Sequence, residues 1–303
     1  MMTTAWQCEK RSALRLTLWI AAVVSLPLPA SGQAPKAETV RDRLWIFSCA
    51  TNSDFPHVGR RSVVTPAEGA FYLGVSNILM VQSSEKESRY GRLEPPFEQY
   101  TVALRPLKGV VWSVVGSGGF SKPEETSEVL AMAKRVPNFR GVMLDDFFTG
   151  KAEGQRAKWT VEELTDVRRR LHQTGKQLDI FVTFYTKLMG LPFDDYLDQI
   201  DVLTLWTWNS ADLRNLEYNL QKLERLYPRK RKMLGCYVVD YPKKQGVPVE
   251  LMKHQCEVGL RWLQQGRIEG IIFLGNTVLD LGFESVEWTR QWIQQVGDTK
   301  LNR

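Results

Sequence analysis

The sequence is poor in the residues that common metal and nucleophile sites require. It has three histidines, His57, His172 and His254, and no Cys-x-x-Cys pair. His172 and His254 fall within predicted helices, and His57 falls in an early loop. A histidine-ligated metal centre and a Ser-His-Asp site are therefore not expected. We predict no metal and no cofactor.

Cysteine is equally scarce. Cys8 lies in a segment that we expect to be removed, which leaves Cys49, Cys236 and Cys256. Three cysteines allow one disulfide at most. Because Cys49 and Cys236 fall on predicted strands, we expect buried free thiols.

No apolar run reaches the roughly 20 residues of a membrane span. The longest run, 16–28, follows a positive segment and precedes the small residues Ala30, Ser31 and Gly32. This order is typical of a signal peptide, which we place at 1–33. We therefore expect a secreted or periplasmic protein, with an uncleaved membrane anchor as the alternative. A polar tether at 34–42 would follow.

Charge is weakly positive, at +6 over the chain. The dense basic runs 168–170 and 229–232 sit at predicted helix ends, where a solvated cationic face is usual. We expect no nucleic-acid partner and no membrane partner beyond the leader. A monomer is expected.

One pattern recurs eight times after the tether: a short apolar strand, a polar loop and an amphipathic helix. Near-continuous apolar strands are typical of parallel strands covered on both faces. Eight alternations predict a single (β/α)8 TIM barrel of the α/β class over 43–297, followed by a tail at 298–303. The predicted strands are 44–49, 77–82, 109–115, 141–147, 178–186, 201–208, 233–241 and 268–275.

Helix starts support this organisation. Thr65-Pro66 and Lys122-Pro123 place proline in the first helical turn, and Thr160 with Glu163 predicts a capping box. A leucine stripe at 213, 216, 220, 223 and 226 should face the sheet. The loop 83–96 is longer than a connection requires, and it either overhangs the mouth or makes a disordered excursion.

The candidate site follows from the strand ends, because functional groups of such barrels gather at the C-terminal face. The predicted ends carry carboxylates, amides and aromatic rings. Gly116 to Gly119 is glycine-rich but lacks the Lys-Ser/Thr of a nucleotide-binding loop. We identify as catalytic candidates Asp145, Asp146 and Asp240, and as substrate-binding candidates Gln82, Tyr185, Trp206, Trp208, Asn209, Tyr237, Tyr241 and Asn276.

The three aspartates suit glycoside hydrolysis, which uses one protonated and one charged carboxyl group. The strand pleat predicts that Met143 and Asp145 face inward and that Asp146 points towards a neighbouring loop or helix. Three alternatives remain open. Each aspartate could cap the following helix, the group could hold a hard cation, or the barrel could bind glycans without cleaving them.

Aromatic residues favour a sugar ligand. Alternation on the sixth strand places Thr204, Trp206 and Trp208 on one face and the leucines on the other. Tryptophans on that face would offer a flat platform at the mouth, with Tyr185, Tyr237 and Tyr241 beside it. Core packing of Trp206 explains its position equally well.

The fourth strand carries a family resemblance. Residues 139–147, FRGVMLDDF, resemble the fourth-strand segment of chitinase-type and polygalactosaminidase-like glycosidases, which share a Gly-Val-x-Leu/Ile-Asp core. The resemblance implies an active-site role for Asp145. The chitinase type has further acids where this chain has Met143 and Phe147, so its mechanism does not carry over. The similarity implies a glycosidase-like barrel without identifying a family.

Overall fold

The computed structural model describes residues 37–51, 60–83 and 92–301. The predicted leader, the start of the tether, His57, most of the loop 83–96 and the last two residues lie outside the described residues. Among the residues described, no helix is long and apolar enough to cross a membrane.

Eight parallel strands close into a barrel. Seven of them follow chain order from β1 to β7, and the last, β10, lies between β7 and β1. The barrel strands are β1 Leu44–Ser48, β2 Asn77–Met80, β3 Gly109–Val115, β4 Phe139–Leu144, β5 Asp179–Tyr185, β6 Val202–Trp206, β7 Arg231–Cys236 and β10 Ile271–Leu274. This architecture confirms the predicted (β/α)8 barrel.

Helices follow the strands around the outside. They are α1 Pro66–Leu73, α2 Thr101–Leu104, α3 Pro123–Arg135, α4 Val161–His172, α5 Asp194–Leu197, α6 Leu216–Leu226, α7 Val249–Gln264 and α8 Glu284–Val296. The capping boxes of Thr65 and Thr160 are both present, so their side chains satisfy backbone N–H groups in the first turn. Leu216, Leu220 and Leu223 of α6 are buried, whereas Leu226 is exposed at the helix end.

The strand pleat divides the apolar residues into two cores. Inward-facing side chains, among them Met143, Phe181 and Trp206, fill the barrel. Outward-facing side chains, among them Leu203 and Leu205, pack under the helices. The alternation predicted for β6 is confirmed. Because the interior is filled, any ligand site must lie at an end of the barrel.

The segment before β1 pairs with the segment after α8. Thr39 forms an antiparallel bridge with Lys300, and Val40 is fully buried with its N–H 2.9 Å from the carbonyl oxygen of Thr299. The compact unit that contains the barrel begins at Ala37. The backbone N–H groups of Val40 and Arg41 donate to the carbonyl oxygens of Thr299 and Gly297.

Most barrel strands end earlier than the apolar runs suggest, because strand pairing stops before the residues that line the mouth. The seventh differs most. It leaves the barrel at Cys236, and the predicted extension to Tyr241 instead forms a small antiparallel ribbon of β8 Val239–Asp240 with β9 Gln245–Gly246. No disulfide joins Cys49, Cys236 and Cys256; Cys236 and Cys256 are buried, as predicted, whereas Cys49, just after β1, is half-buried.

Candidate functional site

Asp145 lies immediately after β4, at the top of the barrel interior. Its backbone N–H donates to the carbonyl of Val115 at 2.8 Å, and its Oδ1 accepts a 2.6 Å hydrogen bond from the hydroxyl of Thr183. The side chain is 5% exposed and continues the face of Met143, which lies inside the barrel. The inward direction predicted from the pleat agrees with these contacts.

Asp146 turns back towards the mouth. Its φ of +44° lies in the left-handed region, which breaks the strand alternation at this residue. Its Oδ2 accepts from the backbone N–H of Gly118 at 3.0 Å, and its Oδ1 accepts from the hydroxyl of Tyr185 at 2.8 Å. The Gly118 contact lies in the neighbouring loop, as the pleat predicts. The Tyr185 contact depends on the left-handed turn and could not be predicted from alternation.

Three tyrosines surround the two carboxyl groups. Burial raises the pKa of Tyr185, Tyr237 and Tyr241, and the negative charges of Asp145 and Asp146 raise each pKa further. The three phenols therefore stay protonated and act as neutral hydrogen-bond donors. The hydroxyl of Tyr185 donates to Asp146, and a hydrogen bond also links Tyr185 with Tyr237.

Trp208 provides an exposed aromatic surface beside these groups. Its ring stacks on Tyr241 with centroids 4.5 Å apart and planes 18° apart, and it is 45% exposed. Tyr237 and Tyr185 meet it edge-on at 5.9 Å and 6.3 Å. We call Asp145, Asp146, Tyr185, Trp208, Tyr237 and Tyr241 the acid–aromatic cluster. It combines two carboxyl groups with a flat face that solvent can reach.

Trp206 lies below this surface, inside the barrel. It is 1% exposed, and its indole N–H donates to the hydroxyl of Thr204 at 2.9 Å. A Cβ on Gly235, its neighbour on β7, would overlap the indole ring, so glycine at this position makes room for the tryptophan. Of the two explanations that the sequence left open, these contacts favour core packing for Trp206.

Asp240 is engaged in local contacts. It is 2% exposed, its Oδ2 accepts from the hydroxyl of Ser210, and its Oδ1 accepts from the backbone N–H of Lys243 at 3.2 Å. The ammonium group of Lys243 lies 3.5 Å from Oδ2. These contacts fix the ribbon that carries Tyr241. They favour the structural alternative, although a catalytic role for Asp240 stays a prediction.

The predicted amides differ in the same way. Asn276 is fully buried and binds the backbone of Cys49 through both N–H and C=O, and the carbonyl of Val64. Gln82 is 4% exposed and donates to the carbonyl of Leu93 at 3.0 Å. Asn209 is exposed beside Trp208. Of the three amides, Asn209 alone reaches solvent.

Two contributors to the cluster were not among the sequence candidates. Thr183 binds Asp145, and Gly118 supplies a backbone donor to Asp146. The alternation of β5 carries a signal for the first, since Thr183 and Tyr185 share the inward face. Nothing in the sequence points to the second, because it depends on loop geometry.

A metal centre was one of the open alternatives. Within the part of the chain that the structure describes, no three His, Cys, Asp or Glu side chains converge as a metal site requires. Asp145, Asp146 and Asp240 do not form such a group.

No protein-family model matches the sequence, and no curated protein matches it. Solved structures do match the fold. Catalytic-site mutants of active domain 2 of a chitinase from Pyrococcus furiosus align at 15% identity and a TM-score of 0.50, covering 79% of this chain and 85% of that one. A protein of Bacteroides thetaiotaomicron VPI-5482 assigned as an alpha-L-fucosidase aligns at 9% identity and 0.51, covering 85% and 96%. Concanavalin B aligns at 10% and 0.51, covering 83% and 99%. These similarities show that the chain has a (β/α)8 barrel fold.

Proposed function

We propose that the chain is an exported glycoside hydrolase that cleaves glycosidic bonds of a polysaccharide or glycan with the carboxyl groups of Asp145 and Asp146. One observation carries this proposal. Two adjacent carboxyl groups follow β4 at the mouth of a glycosidase-like barrel, beside the exposed ring of Trp208, which stacks on Tyr241.

The reaction assigns complementary tasks to the two groups. One carboxylic acid protonates the glycosidic oxygen as the C–O bond breaks. The other carboxylate removes a proton from the incoming water or attacks the anomeric carbon first. Either route consumes one water for each bond cleaved. Thr183 holds Asp145, while Tyr185 and Gly118 hold Asp146, so neither group has to be ordered when substrate arrives.

The aromatic surface binds the sugar. The apolar face of a pyranose ring stacks on Trp208, which Tyr241 supports from behind. Asn209 offers amide hydrogen bonds to sugar hydroxyls at the same edge. Gln82 and Asn276, which the sequence also predicts as ligands of the sugar, support the site indirectly through the loops that they bind.

A glycan-binding barrel without hydrolase activity is the second candidate. The contacts of Asp240 favour it, because Ser210 and Lys243 already bind this third predicted catalytic carboxylate. This candidate keeps the ligand class and removes the bond cleavage.

The test is release of new reducing ends from a panel of neutral and acidic oligosaccharides, with binding measured on the same panel. We expect the full chain to hydrolyse at least one oligosaccharide. In Asp145→Asn the rate should fall about 10³-fold, in the middle of the range for general acid–base groups. The control is Asp166→Asn, an exposed residue on α4 that pairs with Arg169. Unchanged turnover in Asp145→Asn contradicts its assignment. Binding without products supports the second candidate, and absence of both contradicts the proposal.

Export is tested separately. The mature protein, recovered from the medium or the periplasm, should begin near residue 33 when its N-terminus is sequenced. Recovery of the protein with its first residues intact, in the membrane fraction, would favour the uncleaved anchor.

A further inference from the structure

Lysines from three different loops surround the acid–aromatic cluster. Lys158 follows β4, Lys187 follows β5, and Lys243 belongs to the turn between β8 and β9. All three are exposed. Lys243 pairs with Asp240, which leaves Lys158 and Lys187 as the two lysines to consider.

Lys158 lies next to the loop that binds Asp146. A Cβ on Gly119 would lie 2.7 Å from its Nζ, so the ammonium group sits directly over the Gly119 backbone. Gly119 has a φ of +74°, which any other residue adopts at a cost. The neighbouring Gly118 donates its N–H to Asp146. Lys158 therefore flanks the carboxyl groups on the β3 side.

Lys187 flanks the cluster on the opposite side. Its Nζ lies 5.5 Å from the ring centroid of Tyr185, whose hydroxyl binds Asp146. Within the residues that the structure describes, neither Lys187 nor Lys158 forms an ion pair with an acidic side chain. Lys243, in contrast, pairs with Asp240.

The acids of the cluster do not neutralise these two lysines by direct contact. Asp145 is bound by Thr183, and Asp146 is bound by Tyr185 and Gly118. Two ammonium groups thus remain available beside the cluster, where the fields of like charges add.

We propose that the glycan bound at this site is anionic, with carboxylate or sulfate groups on its sugar rings held by Lys158 and Lys187. The inference rests on the proposed function, since it adds the charge of the ligand to a site already assigned to sugars. Trp208 stacks on a ring, and the two lysines bind the anionic substituents of its neighbours along the chain.

The test compares ligands that differ only in charge. Oligogalacturonate is paired with its methyl ester, and chondroitin sulfate oligosaccharide with its desulfated, carboxyl-reduced form; neutral chito-oligosaccharide and polyglutamate complete the set. By calorimetry we expect at least one acidic glycan to bind about tenfold more tightly than its neutral counterpart. The difference in affinity should shrink as salt is raised from roughly 50 to 300 mM, because the Debye length shortens over this range.

The outcomes separate the two proposals. Two results contradict the proposal that the glycan is anionic but are compatible with the proposed function. One is equal affinity for an acidic glycan and its neutral form, and the other is binding of chito-oligosaccharide alone. Equally tight binding of polyglutamate also overturns the proposal of an anionic glycan, because charge without a sugar would then suffice. Absence of binding to every glycan contradicts both proposals.

Variants locate the effect. Lys158→Gln and Lys187→Gln should each weaken binding of the acidic glycan about threefold to fivefold, as expected for one exposed charge, and should leave the neutral form unchanged. The matched control is Lys134→Gln, an exposed lysine on α3. A loss in the control equal to that in the two rim variants contradicts the proposal.

Discussion

Asp145 and Asp240 have the same side chain and follow different barrel strands, β4 and β7, yet their surroundings differ. Asp145 has Thr183 on one oxygen and lies among tyrosines beside an exposed indole. Asp240 has Ser210, the backbone of Lys243 and the ammonium group of Lys243 as partners. One aspartate lies in the acid–aromatic cluster, and the other stabilises a turn.

The same contrast extends to the amides. On the β6 side, Asn209 is exposed next to Trp208. Asn276, after β10, instead uses both the oxygen and the nitrogen of its amide group to bind the backbone of two loops. A buried polar group must find partners, and the nearest ones are backbone groups of the adjoining loops. The mouth therefore has exposed side chains, Trp208 and Asn209, on its β6 side, whereas on its β10 and β2 sides the buried amides Asn276 and Gln82 bind loop backbone.

The largest predicted effect separates an aspartate of the acid–aromatic cluster, Asp146, from Asp240. Asp146→Asn should reduce hydrolysis by about 10³-fold, because one carboxyl group of the pair is lost, while the melting temperature changes little. Asp240→Asn should retain most activity and lower the melting temperature, because the negative charge that binds the Ser210 hydroxyl and the backbone N–H and ammonium group of Lys243 is lost. Turnover and thermal melts of both variants check this. If Asp240→Asn abolished turnover without a change in melting temperature, the assignment of roles would be reversed.

A stability effect should dominate on the β10 side. Asn276→Ala leaves the N–H and C=O of Cys49 and the carbonyl of Val64 without their partner, at a cost of about 3 kcal/mol in the free energy of unfolding. Asn209→Ala, its exposed counterpart, should cost less than about 0.5 kcal/mol. Chemical denaturation measures both. Equal losses would show that the two amides have similar structural roles.

The two tryptophans of the sixth strand region provide a sharper form of the comparison. Trp208→Ala should weaken glycan binding about tenfold, since it removes the stacking face, with little change in stability. Trp206→Ala should instead destabilise the fold by about 3 kcal/mol or more, because it leaves a cavity inside the barrel. Calorimetric titration and denaturation separate the effects. Similar losses of affinity in both variants, with equal stability, would place Trp206 in the binding surface.

The sequence predicts the architecture well because strand composition, helix caps and alternation are local signals. The capping boxes of Thr65 and Thr160, the inward face of Met143 and the alternation of β6 all agree with the structure. Long-range hydrogen bonds are different, since they depend on loop geometry. For this reason the sequence does not separate Asp240 and Asn276 from Asp145, and it does not reveal the left-handed turn at Asp146 or the contact with Gly118.

The effect of acid on stability should depend on Glu287 of α8, which is not part of the acid–aromatic cluster. Hydrogen bonds from Arg290, then from Tyr72 and Gln291, lower the pKa of Glu287 from 4.5 to about 2. A carboxyl group with a depressed folded-state pKa stabilises the fold above its unfolded pKa, and this contribution is lost as the pH falls from 4.5 towards 2. Glu287→Gln should therefore be less stable than the unmodified protein at pH 6, with a difference that narrows by pH 3. Because Glu287 lies on α8, away from the mouth, the pH profile of turnover should not change. Thermal melts at the two pH values and a pH–rate profile check both expectations, and a stability difference that widens in acid would contradict the first.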